Sequence, residues 1–203
     1  MITTTLSRSM LAGLVALAAL GCQETRNPVA TEMPEGESAT IAPVGDGIAA
    51  PADAVLGQQL ADLRRLTARF HDFEAADDAG YDILVTHPTS GAACLEHPTE
   101  GGMGRHYLKL GLVDAEVAVL EPEVVMYEPM RNGRLRLVGF EYIIPYTIRP
   151  REATPPVLFG QDFLHNDVFG LWMLHVYVWK NNPSGMFATW NPKITCEHDG
   201  AVD

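Results

Sequence analysis

Between Asp53 and Ala79, Leu56, Leu60, Leu63 and Phe70 recur at helical spacing with Thr67 among them, and Gly80 follows as a natural stop. That spacing predicts one long helix. Past Gly80 the pattern changes. Tyr81 to Thr86 reads as a strand. His87 to Gly104 reads as a loop, punctuated by Pro88, Gly91, Pro98 and glycines 101, 102 and 104, and His106 to Val113 as another strand. Glu123 to Tyr127 and Arg134 to Tyr146 are rich in β-branched and aromatic residues, and Asn132-Gly133 between them predicts a hairpin. Pro150 to Pro156 is a loop. From Gly170 to Lys180 the chain alternates, with Met173, His175, Tyr177 and Trp179 on one side and Trp172, Leu174, Val176 and Val178 on the other. Both sides are apolar, which places this strand inside a sheet. Asn181 to Thr195 is an irregular aromatic tail ending at Cys196. A helix followed by a run of strands predicts an α+β fold, the helix packed on a mainly antiparallel sheet.

The start of the chain follows a different pattern. Arg8 is the one charged residue before an apolar run from Met10 to Leu20, and Gly21 and Cys22 close it. A polar start, a short apolar stretch and a small residue before the cut describe a signal peptide over residues 1–21. The run is shorter than the roughly 20 residues a membrane-spanning helix needs. Ala19-Leu20-Gly21-Cys22 resembles a bacterial lipobox, although Ala19 stands where leucine is usual. The expected partner is then a lipid bilayer, reached through an acylated Cys22, and ordinary cleavage before Cys22 is the alternative. By resemblance to Gram-negative lipoproteins, Gln23 after the cysteine favours the outer membrane. Residues 22–52 hold the lipidated cysteine and a tether rich in Pro, Gly, Ala, Glu and Thr, too poor in apolar surface to offset the entropy of ordering. Residues 53–203 make one domain with room for a core.

Composition narrows the partners. Of 14 basic and 26 acidic residues, only Arg8 lies within 1–21, so the mature chain carries a net −13 with His neutral. That argues against nucleic acid and is compatible with a cationic ligand or metal. Lipidation of Cys22 leaves Cys94 and Cys196 as an even pair in an oxidising compartment, which predicts a disulfide. Cys94-x-x-His97 with His87 nearby is the competing zinc half-site. Several polar residues sit where pattern predicts apolar ones. Glu74 projects from the centre of the helix stripe and His71 from its edge; Glu141 shares a strand face with Leu135, Leu137 and Ile143; His175 shares one with Met173 and Tyr177; His106 follows the glycine-rich stretch. Isolated buried charge is costly. His71, Glu74, His106, Glu141 and His175 are therefore the candidate ligands of a divalent transition metal, with imidazole and carboxylate donors suited to Zn, Fe, Mn or Cu. The plainer alternative is a solvated helix end and core histidines with satisfied hydrogen bonds. No Gly-x-Ser-x-Gly and no dinucleotide fingerprint is present.

Arg69-Phe70-His71-Asp72, Gly102-Met103-Gly104-Arg105-His106-Tyr107, Tyr127-Glu128-Pro129, Pro156-Val157-Leu158-Phe159-Gly160, and above all Leu174-His175-Val176-Tyr177-Val178-Trp179-Lys180 with Asn182-Pro183-Ser184-Gly185 and Trp190-Asn191-Pro192 resemble segments of a group of exported bacterial proteins to which no activity is assigned. The resemblance implies export and covers nearly the whole domain, but it supplies no catalytic residue. Three readings follow: a tethered domain binding a metal or small ligand in a His/carboxylate pocket, a metal-dependent enzyme using that pocket with Glu74 or Glu141 as general base, or an interaction lipoprotein whose Trp172, Trp179, Phe187 and Trp190 form core or a partner surface.

Overall fold

The computed structural model describes residues 52–200; the expected signal peptide, Cys22 and the expected tether up to residue 51 lie outside the described residues. Helix α1 spans Ala52–Thr67, with Asp53 in its first turn and Arg64 and Arg65 in its last, each complementing the helix dipole. The expected single helix to Ala79 is corrected here. After Thr67 the chain tightens into a 3-10 turn, Ala68–His71, and Asp72 turns extended (φ −89°, ψ 117°). The Asp72 carboxylate accepts from the Glu74 amide and opens a second, short helix α2, Phe73–Asp77. Asp72 is thus an N-cap inside what periodicity alone reads as one helix.

The strands are β1 Ile83–Val85, β2 Cys94–His97, β3 Gly101–Leu108, β4 Val124–Pro129, β5 Leu135–Pro145, β6 Val157–Leu158, β7 Gln161–Asp162, β8 Leu164–Asn166 and β9 Leu171–Val176. The main sheet runs β1-β3-β4-β5-β9-β8, antiparallel throughout, with β2 also pairing along β3. The fold is α+β, the N-terminal helical segment lying on a mainly antiparallel sheet, as expected. The β4–β5 hairpin forms around Asn132-Gly133, where Gly133 takes φ 73°. The glycine-rich stretch assigned to a loop is strand instead. Gly104 takes φ 89°, and a Cβ there would collide with the Tyr127 carbonyl oxygen. Glycine at this position lets β3 pass close to β4.

The two sheet faces are covered differently. Leu60, Leu63 and Phe70 pack with Tyr127, Phe140, Tyr142, Ile144, Trp172, Leu174 and Val176 in the main core. The other face holds Val124, Ile143 and Met173 in one cluster and Met126, Val138, Tyr177 and Ile194 in another. A bulge between β4 and β5 shifts the register, so Leu137 falls on the helix side while Ile143 falls on the other. The sequence alternation that grouped Leu135, Leu137, Glu141 and Ile143 is therefore broken: Glu141 keeps Ile143 and loses the two leucines. The C-terminal tail docks on the β3 edge. Gly102 and Asn191 exchange backbone hydrogen bonds of 3.1 and 3.0 Å, and the Gly102 amide also donates to Ile194 at 2.9 Å. Cys94 and Cys196 form the expected disulfide. It takes the sulfur that a zinc site with His97 and His87 would need.

Candidate metal centre

His106, Glu141 and His175 meet on the sheet face away from α1. Register brings them there. Glu141 on β5 lies directly opposite His175 on β9. His106 on β3 lies opposite Met126 on β4, which in turn faces Gly139 on β5. All three are buried, at 4%, 8% and 2% exposure for His106, Glu141 and His175. His175 Nε2 lies 3.6 Å from one Glu141 oxygen, and His106 Nε2 lies 3.8 Å from the other. The two imidazole centroids are 5.9 Å apart. One ligand atom from each residue falls within 4.8 Å of the others.

These distances are too long for hydrogen bonds. Nor are the contacts ion pairs. Burial lowers His106 to about 4, with the Gly104 carbonyl opposing the shift, and lowers His175 to about 3 with help from His106. Burial raises Glu141 to about 8, with a smaller contribution from Glu123. Burial thus favours uncharged imidazoles and a protonated carboxyl. One nitrogen is already assigned. His106 Nδ1 lies 3.2 Å from the Gly104 carbonyl, which can only accept, so Nδ1 carries the hydrogen and Nε2 presents its lone pair toward Glu141. A ring nitrogen held by a carbonyl behind the donor is the usual support of a metal-binding imidazole. His175 Nε2 is buried with no hydrogen-bond partner in the protein. Leaving such a group unsatisfied costs about 1–3 kcal/mol.

A single cation between the three residues would account for the partnerless nitrogen and the open separations. Metal bonds near 2 Å place neighbouring donors roughly 3–3.5 Å apart. The 3.6 and 3.8 Å separations, to the two different Glu141 oxygens, lie within a few tenths of an ångström of that spacing, and one donor from each residue falls within 4.8 Å, so a shared ion would draw them together by about 1 Å. A cation would also fill the partnerless position at His175 and draw the proton off Glu141.

His71 and Glu74, proposed with these three from the sequence, are not brought to them. Both are exposed. The break at Asp72 ends the stripe that was extrapolated through Glu74, and the helical segment covers the sheet face opposite to His175. His71 instead lies edge-on to Trp179, centroids 4.4 Å apart.

A cavity of about 340 Å³ opens beside the cluster, with His106 and Glu141 in its wall. Its other walls include Val85, Met103, Val124, Phe169, Leu171 and Trp190. Nothing in the sequence marks these residues beyond their apolar character, because they come from strands, turns and tail far apart in the chain. His87, proposed as a zinc ligand, lies on this wall; its Nδ1 accepts from the Thr89 and Ser90 amides. His97 packs against Trp190. No helix among the described residues is long and apolar enough to cross a membrane. No family model matches the chain, and neither a curated protein nor a solved structure does.

Proposed function

We propose that this is an exported domain, tethered to a membrane by an acylated Cys22, that binds a divalent transition metal through His106, Glu141 and His175. The partnerless, fully buried His175 Nε2 within reach of a carboxylate and a second oriented imidazole carries this reading. Two imidazoles and one carboxylate suit Zn²⁺ or Fe²⁺ and leave coordination positions open. The test is elemental analysis of untagged protein from metal-replete cells. One equivalent of metal per chain in the wild type, lost in His106→Ala and His175→Ala, is the expected result. Metal-free protein, or unchanged loading in both variants, rejects the site. The anchor is tested separately: Cys22→Ser should abolish fatty-acid labelling and release the protein from membranes.

The cavity favours a second reading, a metal-dependent enzyme at the same centre. His106 and Glu141 face a space large enough for a small organic molecule. With the open positions of a bound ion turned toward it, such a molecule would coordinate directly. Of the two carboxylates weighed as general base, only Glu141 is at the centre. If it holds the metal, a separate base is needed.

A further inference from the structure

We infer that the ligand of this cavity is a small molecule with an uncharged, mainly apolar body that presents one metal-binding group to the metal. This rests on the metal reading above and deepens it. No residue lining the cavity is Lys or Arg. Away from the metal, a carboxylate or phosphate substituent would therefore meet no side-chain cation to replace its water. It would instead approach the carboxyl of Glu96, also in the wall, on a chain whose formal charge is −12. The polar side chains in the wall are few: His87, Ser90, Glu96 and Asn166 besides His106 and Glu141. The remaining wall offers the Trp190 and Phe169 rings and aliphatic side chains, a surface suited to a planar apolar body. At its half-exposed rim His87 and Phe169 pack edge-on from two turns, centroids 6.1 Å apart. Val168, beside Phe169 on that rim, is 58% exposed and also lines the space.

The composition of the wall therefore sets two demands, a polar anchor at the metal and an apolar body in the rest of the slot. Hydroxamic acids report on both, because their two oxygens bind a metal while the substituent can be changed. The experiment loads the full-length protein with Co²⁺ and follows the visible absorption bands during titration with benzohydroxamic acid, acetohydroxamic acid and oxalate. The ring compound should bind at least roughly tenfold more tightly than the methyl compound, the gain expected from burying apolar area in the slot. Oxalate, which has a similar bite but no apolar body, should bind more weakly than the ring compound. Val168→Trp, an exposed position whose enlargement narrows the mouth, should erase the preference for the ring and leave Co²⁺ affinity unchanged. Equal affinity for the two hydroxamic acids, tightest binding of oxalate, or an unaltered preference in Val168→Trp would each overturn the inference while the metal site stood. Absence of Co²⁺ bands at one equivalent removes the metal site, and this inference with it.

Discussion

On the helix-covered face of the sheet, large side chains are buried with their polar tips engaged. Tyr127 donates to the Phe70 carbonyl at 2.6 Å, Tyr142 to that of Val119 at 2.6 Å, and the Trp172 indole to that of Arg149 at 3.1 Å. On the opposite face, His106, Glu141 and His175 are just as deeply buried, yet their mutual contacts are 3.6 and 3.8 Å and one nitrogen has no partner. Strands β3, β5 and β9 serve both faces, so the difference does not lie in local structure. It lies in what each face contributes. The first supplies packing and satisfied hydrogen bonds. The second buries three potential metal donors beyond hydrogen-bond distance of one another, one of them with no partner in the protein, a cost that functional sites commonly carry.

Truncation on the helix side should produce the largest loss. Leu63 is fully buried between α1 and the sheet. Leu63→Ala should cost about 2–5 kcal/mol in urea denaturation, from lost transfer energy and the cavity left behind. Metal loading should not change. If Leu63→Ala empties the metal site while the protein stays folded, the two faces are coupled and the contrast fails.

The tail-covered face has its own source of stability, the Cys94–Cys196 disulfide, which closes a separation of 102 residues. Replacing both cysteines by Ala should lower stability by about 2–4 kcal/mol, as measured by denaturant titration. The effect should reach the cavity. Cys94 and Trp190 both line it, and the disulfide ties β2 to the tail that carries Trp190. Hydrogen exchange at Gly102 and Ile194 should speed up in the double variant, while exchange in α1 should change only as far as global stability does.

The same contrast decides what was legible in the sequence. Leu56, Leu60 and Leu63 carry the helix and Asn132-Gly133 the hairpin, because local periodicity and turn chemistry are local facts. His106 and His175 stand out as polar residues within apolar strands, and their convergence follows once β3, β5 and β9 are assembled. Glu141 was legible only in part. The bulge between β4 and β5 moves Leu135 and Leu137 to the far side, and a register shift leaves no mark in a simple alternation. Glycines 101, 102 and 104 suggest a loop because turns use glycine. Here backbone from β4 and the tail approaches β3 closely, a long-range cause. His71 and Glu74 were misplaced because an N-cap at Asp72 breaks the helix. In addition, no pattern within α1 shows which face of the sheet it will cover.

A pH experiment compares two buried carboxyls. Glu123 is 1% exposed and accepts a hydrogen bond from the Ile143 amide at 3.1 Å, a donor Glu141 lacks. Burial still pushes Glu123 up to about 8 from 4.5, with the Ile143 amide opposing the shift. Below about 4.5 it is protonated in both folded and unfolded chains and costs nothing. As pH rises toward 8, the unfolded chain ionises first, so native stability falls by up to about 1.4 kcal/mol per pH unit from this group. Glu123→Gln removes that slope. Relative to wild type, the variant should gain roughly 2 kcal/mol between pH 5.5 and 7.5 in parallel urea titrations. Parallel curves across that range would mean that Glu123 ionises as freely in the folded protein as in the unfolded one.

The smallest expected change in stability bears most directly on the difference between the faces. His175 stacks on Tyr177, interplanar angle 16°, and its Nε2 is the unsatisfied atom. His175→Leu replaces the imidazole with an apolar side chain of similar volume, so packing around Tyr177 and Met173 should change little. The unsatisfied nitrogen disappears with it. In metal-free protein, prepared by chelation and dialysis, the variant should therefore be more stable than wild type by about 1 kcal/mol. With metal present the order should reverse, because only the wild type gains the stabilisation that ligand binding confers on the native state. Two melting curves for each protein, with chelator and with one equivalent of Zn²⁺, make the measurement. A variant less stable than wild type under both conditions would mean that His175 is an ordinary core histidine. The two faces would then differ only in composition.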